Sequence, residues 1–151
     1  MGSHLTRPLG LEDYAEAAAL LSLLSDGDPV GSTGAFAKLL DHPGTTIFGS
    51  FTSDRLAAVV TLHLLPNMTR QARSYALIEN VVCAAAYRGQ GHAAAAMRAA
   101  IDTAWAADAY KIMLLTGQNT GAKGFYETLG FRADQKFGMQ MRRVPPRDAA
   151  P

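Results

Sequence analysis

At 151 residues, 48% of them apolar and 18% charged, the chain has the length of one ordinary domain and too much apolar content for intrinsic disorder. Fourteen Lys+Arg against thirteen Asp+Glu leave a formal charge of +1, with no run of five like charges, which excludes a dedicated phosphate-backbone binder and nucleic acid as the main partner. The single cysteine, Cys83, cannot close an intramolecular disulfide, and no close spacing of Cys and His points to a metal, so none is expected.

No stretch reaches the ~18 consecutive apolar residues of a membrane span, and the N-terminus lacks a basic-then-apolar secretory pattern, so a cytoplasmic protein without a membrane partner is expected. Gly2-Ser3-His4 matches the remnant of an expression tag, which leaves residues 5–144 as a single domain and Pro145 to Pro151 as a frayed tail.

Leu5 to Leu9 reads as a short strand, and Glu12 to Ser25 as an amphipathic helix with Tyr14, Ala17, Ala18, Leu21 and Leu24 on one face. After the turn-rich Asp26 to Gly31, Ser32 or Thr33 can cap a second helix carrying Phe36, Leu39 and Leu40, which Pro43 stops. Thr45 to Thr52 and Arg55 to Leu65 are β-rich runs separated by Ser53-Asp54, which predicts an antiparallel hairpin with Leu56, Ala58, Val60, Leu62 and Leu64 on one face of its second arm. A loop from Pro66 to Gln71 leads to a strand from Tyr75 to Cys83, whose Val81-Val82 centre reads as buried on both faces.

The turn Tyr87-Arg88-Gly89-Gln90-Gly91 opens an alanine-rich helix from His92 to Ala107, with Met97, Ile101, Ala104 and Trp105 on the core side and Arg98 and Asp102 opposite. Lys111 to Thr116 is a short apolar strand, so strand, helix and strand form a right-handed crossover with the two strands parallel. Gly121 to Leu129 predicts a last helix closed by Gly130, and Phe131 to Val144 a final hairpin around Gln135-Lys136. The sum is an α+β or α/β fold whose sheet is mixed and mostly antiparallel.

A strand, a glycine turn and a helix present unpaired N–H groups and the positive end of a helix dipole to an anion. Arg88-Gly89-Gln90-Gly91-His92-Ala93 stands at that point, without the Gly-Lys-Ser/Thr of a Walker loop. Ile78 to Cys83 precedes it, and Asn119 to Phe131, with Phe125-Tyr126-Glu127 and Gly130-Phe131, follows one crossover later. In that combination the chain resembles the GNAT superfamily of acetyl-CoA-dependent N-acetyltransferases. Arg88 to Ala93 matches the family's pyrophosphate loop and Phe125 to Phe131 its C-terminal signature. Ala85 departs from the pattern, standing where many members have proline.

The resemblance implies a three-layer α+β fold, helices on both sheet faces and a splayed parallel strand pair. Acetyl-CoA would be the co-substrate, with pantetheine on Val81 and Cys83, pyrophosphate on Arg88, Gly89, Gln90, Gly91, His92 and Ala93, and the arm near Asn119 and Phe125. A neutral amine is needed, and Glu79, on the central strand, is the candidate base or water-positioner. The N–H of Val82 or a neighbour would hold the oxyanion, and Tyr126 would protonate the leaving thiolate. Each has a bland rival: Glu79 as a paired carboxylate, Tyr126 as packing, Cys83 as core rather than an acetylated nucleophile.

Selectivity falls to Asp26 to Gly34, Pro66 to Ser74 and the last hairpin. Arg70 and Arg73, with Lys136, suit an anionic group such as phosphate, although loop cations are commonly just solvated, and His63 either faces the substrate or is a satisfied strand histidine. Ile78 to Cys83, Tyr110-Lys111-Ile112 and Gly138 to Arg142 look similar to the glucosamine-phosphate N-acetyltransferase branch. That makes a small-molecule amine, an amino-sugar phosphate or aminophosphonate, the expected acceptor. A protein or peptide amine, or a non-catalytic acyl-CoA-binding regulatory module, are the alternatives, and a homodimer is eligible from the family.

Overall fold

The computed structural model describes residues 4–144, so the expected tail at Pro145 to Pro151 lies outside the described residues. The chain forms two compact units, one through Leu114 and one from Leu115.

The first unit is built on a five-stranded sheet in the order β1 (Leu5–Pro8), β2 (Thr45–Thr52), β3 (Arg55–Leu65), β4 (Tyr75–Cys83) and β5 (Ile112–Met113). Pairing is antiparallel from β1 to β4 and parallel between β4 and β5. β3 is central, and every residue from Leu56 to Leu62 is buried, so both of its faces are covered rather than the alternate one alone.

Two helices, α1 (Tyr14–Ser22) and α2 (Thr33–Leu40), cover one face. Ala17 and Leu20 of α1 and Phe36 of α2 join Leu9, Ile47, Phe51, Leu56, Val59 and Val82 in one buried cluster. The Ser32 hydroxyl caps α2 by accepting from the Ala35 N–H at 3.2 Å. A third helix, α3 (His92–Ala106), brings buried Ala96, Met97, Ala100 and Ala104 to the sheet. Small residues at this spacing let the helix approach closely. Trp105 lies one step round the helix and is 51% exposed, contrary to its expected place in the core.

The entry to α1 is held by charge. Arg7 donates to both carboxylate oxygens of Asp13, at 2.7 and 2.9 Å, and the Gly10 N–H donates to the same carboxylate at 2.8 Å. The Arg7 hydrogen bond holds the Asp13 carboxyl below its ordinary value. Folding therefore gains from the ionised carboxylate above the unfolded value of about 4, and the gain drains away as pH falls through the lower folded value. Asp13→Asn should cost about 1–3 kcal/mol at neutral pH and flatten the acid limb of the stability curve. Urea melts of both proteins between acidic and neutral pH check this, and parallel acid limbs would reject it.

The second unit carries α4 (Lys123–Thr128), shorter than the expected Gly121 to Leu129. Gly130 closes it at φ +96°, the left-handed region glycine enters without strain, and the Gly130 N–H donates to the Glu127 carbonyl at 3.0 Å. The hairpin expected from Phe131 to Val144 does not form: no residue there is in a strand. Phe137, Met139 and Met141 alternate as a strand would but are 99%, 90% and 102% exposed. A two-stranded hairpin without a third element over its apolar face is marginal, which accounts for the difference.

Candidate active site

β4 carries the irregularity that shapes this region. Val59 pairs with Val82 and Thr61 with Glu79, so Asn80 and Val81 together oppose Val60, and Asn80 takes φ +54°. This is a β-bulge. Val59 and Leu62 are three residues apart and face opposite sides, yet their partners Val82 and Ile78 are four apart. The extra residue reverses the face of the strand, turning Val82 into the cluster under α1 and α2. Glu79, across from Thr61, stands on that same side and is exposed.

Beyond the bulge one edge of β4 is open. The Ala84 N–H donates to the Ala57 carbonyl at 2.8 Å. By alternation Val82 turns its N–H toward β3, while Cys83 and Val81 turn theirs the other way. β5 pairs only with Ala76 and Leu77, so from Ile78 onward that edge has no strand partner among the described residues. The strand expected from Lys111 to Thr116 is thus a two-residue ladder beside a strand whose bulge interrupts regular pairing a few residues on.

β4 runs through Ala84 and a turn into α3. Gly89 and Gly91 have φ of +74° and +89°, and the N–H groups of Gly89, Gln90, Gly91, His92 and Ala93 have no acceptor among the described residues. Arg88 is exposed beside them. Five consecutive free donors at a helix start, next to a guanidinium, suit a phosphate.

His92 is buried, with Nδ1 2.9 Å from Ser50 Oγ. Burial and then the nearby His4 push its titration down, so the ring stays neutral at the positive helix end. His4, set aside on sequence as a tag residue, lies edge-on to His92 with ring centres 4.2 Å apart, its Nε2 2.7 Å from the Gln90 carbonyl. Nothing in the local sequence signalled that contact. Burial also raises the Cys83 thiol, which keeps it protonated and unsuited to nucleophilic attack.

In the second unit, Tyr126 is half-buried, its ring 5.1 Å from Phe125 and 6.2 Å from Phe131. The Phe131 N–H donates to the Tyr126 carbonyl at 3.2 Å. Asn119 is exposed in the turn before this helix.

The selectivity residues divide. His63 Nδ1 lies 2.9 Å from Thr45 Oγ1, which also meets His42 Nδ1 at 3.0 Å, so His63 is a satisfied strand histidine. Arg73 is tied to Asp108, 3.0 Å to its carboxylate and 3.2 Å to its carbonyl. Arg70 is exposed, its guanidinium carbon 5.9 Å from the Tyr110 ring centre. It opens a left-handed turn: Arg70, Gln71 and Ala72 have φ of +56°, +60° and +60°. Such residues cost about 1–2 kcal/mol each and persist only when their surroundings hold them. Asn67 does so, donating to Thr69 Oγ1 and to the Thr69 and Arg73 carbonyls at 2.9, 2.9 and 3.3 Å.

The region thus combines a mixed sheet, a bulged strand with an open edge and an anion-ready helix start. The acetyltransferase (GNAT) family model matches residues 5–131, and the chain belongs to that family. It is an acetyltransferase.

A glucosamine 6-phosphate N-acetyltransferase of Trypanosoma brucei brucei is 29% identical over 140 residues, 90% of this chain and 92% of that one. The structure of a protein described as an acetyltransferase, from Agrobacterium tumefaciens strain C58, superposes with a TM-score of 0.86 at 40% identity, covering 92% of this chain and 99% of that one. The glucosamine-6-phosphate N-acetyltransferase of Arabidopsis thaliana shares the fold, with a TM-score of 0.80 at 18% identity over 95% of this chain and 100% of that one.

Proposed function

We propose that the protein moves an acetyl group from acetyl-CoA to the primary amine of a small molecule by direct transfer in a ternary complex. One observation carries this reading: on a single strand, an open edge at Val81 and Cys83 leads straight into a helix start with unsatisfied N–H groups. The edge suits an extended amide-bearing arm, which adds like a strand, and the helix start suits its diphosphate. Val81 and Cys83 hold pantetheine, Arg88 to Ala93 hold pyrophosphate, and Asn119 and Phe125 contact the coenzyme.

The acceptor ammonium, with a pKa near 10.4 for a lysine-like amine, must first lose a proton, and Glu79 accepts it directly or through water. The neutral nitrogen attacks the thioester carbonyl, and the outward N–H of Val81 receives the developing oxyanion. Collapse breaks the C–S bond, Tyr126 gives its phenolic proton to the departing thiolate, and the acylated nitrogen releases its second proton to solvent, from which the tyrosinate is reprotonated. The acceptor is an amino-sugar phosphate or an aminophosphonate, a reading supported by the likeness to the trypanosomal enzyme.

Calorimetric titration with acetyl-CoA, followed by thiol-release assays with amino sugars, aminophosphonates, polyamines, amino acids and peptides, tests the reading. Micromolar binding with a responding small amine is expected. A response to peptides alone would replace the acceptor class, and absence of binding would remove the reading altogether.

A homodimer belongs to the same proposal, since the apolar row of Phe137, Met139 and Met141 is a surface that a second copy would cover. Sedimentation equilibrium should return twice the chain mass of 16.0 kDa. A monomer at tens of micromolar would reject that part.

A further inference from the structure

We infer that His63, joined through the Thr45 hydroxyl to His42, carries away the proton that Glu79 takes from the acceptor amine; this rests on the acetyl-transfer reading and deepens it. His63 Nδ1 lies 2.9 Å from Thr45 Oγ1, which in turn lies 3.0 Å from His42 Nδ1. Thr45 is buried, His63 half-buried and His42 exposed. The contact with Thr45 settles one ring nitrogen of His63 only: among the described residues its Nε2 has no hydrogen-bond partner.

The turn that brings His42 to the sheet is pinned on both sides. The Thr45 N–H donates to the His42 carbonyl at 3.1 Å, and the Leu64 N–H to the Gly44 carbonyl at 2.7 Å. A Cβ at Gly44 would stand 2.5 Å from the Leu64 carbonyl oxygen, so only glycine lets the turn come this close to β3.

Thr45, His63 and Leu77 form one cross-strand row of the sheet, and Ile47, Thr61 and Glu79 form the next row on the same face. His63 and Glu79 are therefore diagonal neighbours on paired antiparallel strands, about 7–8 Å apart at the backbone. A carboxylate and an imidazole on that diagonal are within the span of one bridging water.

A hydroxyl has a single proton, so with both rings neutral Thr45 can donate to only one of them, and the other must keep its proton on Nδ1. His42 is exposed and takes the Nε2–H tautomer that histidine favours in water, so its bare Nδ1 accepts from Thr45. His63 then donates Nδ1–H to Thr45 Oγ1 and is left with a bare, basic Nε2. The acceptor ammonium gives its proton to the Glu79 carboxylate; the resulting acid passes a proton to the water, which delivers one of its own to His63 Nε2. Glu79 is again ionised, and His63, now an imidazolium still bonded to Thr45, releases the proton to bulk water. One proton has moved from amine to solvent.

Few other charges surround the trio. Tyr75, beyond Leu77 on the same face, is paired with Tyr110 and Lys111. Lys38 and Asp41 close α2 without a bond to either imidazole among the described residues, and on α1 Tyr14 and Glu16 are engaged by the Gly31 carbonyl and the Leu56 N–H.

Kinetics with glucosamine 6-phosphate as the assay amine test the relay. His63→Gln should lower kcat about tenfold at neutral pH and leave the Kd for acetyl-CoA within about twofold. That deficit should close as pH rises past the pKa of the bound amine, since a neutral amine has no proton to hand on. Added imidazole should restore activity to His63→Ala, and His63→Gln placed on Glu79→Gln should cost nothing further. A deficit that is absent, constant with pH or additive to Glu79→Gln overturns the inference while acetyl transfer stands. Thermal melts identify a variant that fails to fold, and Thr45→Ser, which keeps the hydroxyl, should retain activity where Thr45→Val loses it.

A second measurement needs no turnover. In ¹⁵N spectra of the full chain His63 should carry its proton on Nδ1, and in Glu79→Gln it should titrate about half a pH unit lower, because a neighbouring negative charge is gone. A bare Nδ1 or an unmoved titration rejects the relay even if the sugar is not acetylated, whereas failure of acetyl-CoA to bind strikes the acetyl-transfer reading alone.

Discussion

Tyr126→Phe should lower kcat by about 10²-fold and leave the affinity for acetyl-CoA within about twofold. The change removes one oxygen and keeps the ring, so the packing on Phe125 and Phe131 and the backbone bond from Phe131 all survive. Under the proposed mechanism the change removes a proton for the leaving thiolate, whose conjugate acid has a pKa of about 8.5 against about 10 for the phenol. Solvent can supply that proton, which caps the loss. Steady-state kinetics across pH read the effect: kcat should fall at every pH while calorimetric Kd holds. An unchanged kcat would remove Tyr126 as the acid and leave it a packing residue.

The second large effect belongs to Gly91. At φ +89° a β-branched side chain is strained by about 1–3 kcal/mol, and a Cβ built there would meet His4 Cε1 at 3.4 Å. Gly91→Val relieves that strain by turning the peptide planes on either side, which takes the N–H groups of Gly91 and His92 out of alignment. Loss of aligned donors should weaken acetyl-CoA binding by ten- to a hundredfold, at about 1.4 kcal/mol per decade. At saturating coenzyme kcat should recover most of its value, because nothing at Glu79 or Tyr126 has moved. Calorimetry with a thermal melt as the folding control measures this, and a folded variant of unaltered affinity would reject the loop as the phosphate site.

Legibility in the sequence followed the range of the interactions. β2, β3 and β4 begin and end where the β-rich runs do, since Ser53-Asp54 and Pro66 punctuate them locally. The helix start at His92 was legible for the same reason, as Gly89 and Gly91 are spaced for a turn whose donors are freed by local geometry alone.

The bulge was not legible. Asn80 tolerates positive φ but does not demand it, and only pairing with Val60 reveals the extra residue. The truncation of β5 beside that bulged strand is something an apolar run from Lys111 to Thr116 could not disclose. Phe137, Met139 and Met141 have a strand's period without a strand, because periodicity specifies a face and pairing needs a partner.

The contact between His4 and the Gln90 carbonyl has a practical edge. His4 rests against the loop that precedes α3, so a group carried on that side chain lies in the neighbourhood of the loop. A bulky group at that position would crowd the loop, and titrations made on such material would measure the added group as well as the protein. The same proximity can be turned to use: an environment-sensitive fluorophore coupled at position 4 would sit close enough to Gly91 to report ligand arrival as a change in emission, giving an optical readout that requires no turnover.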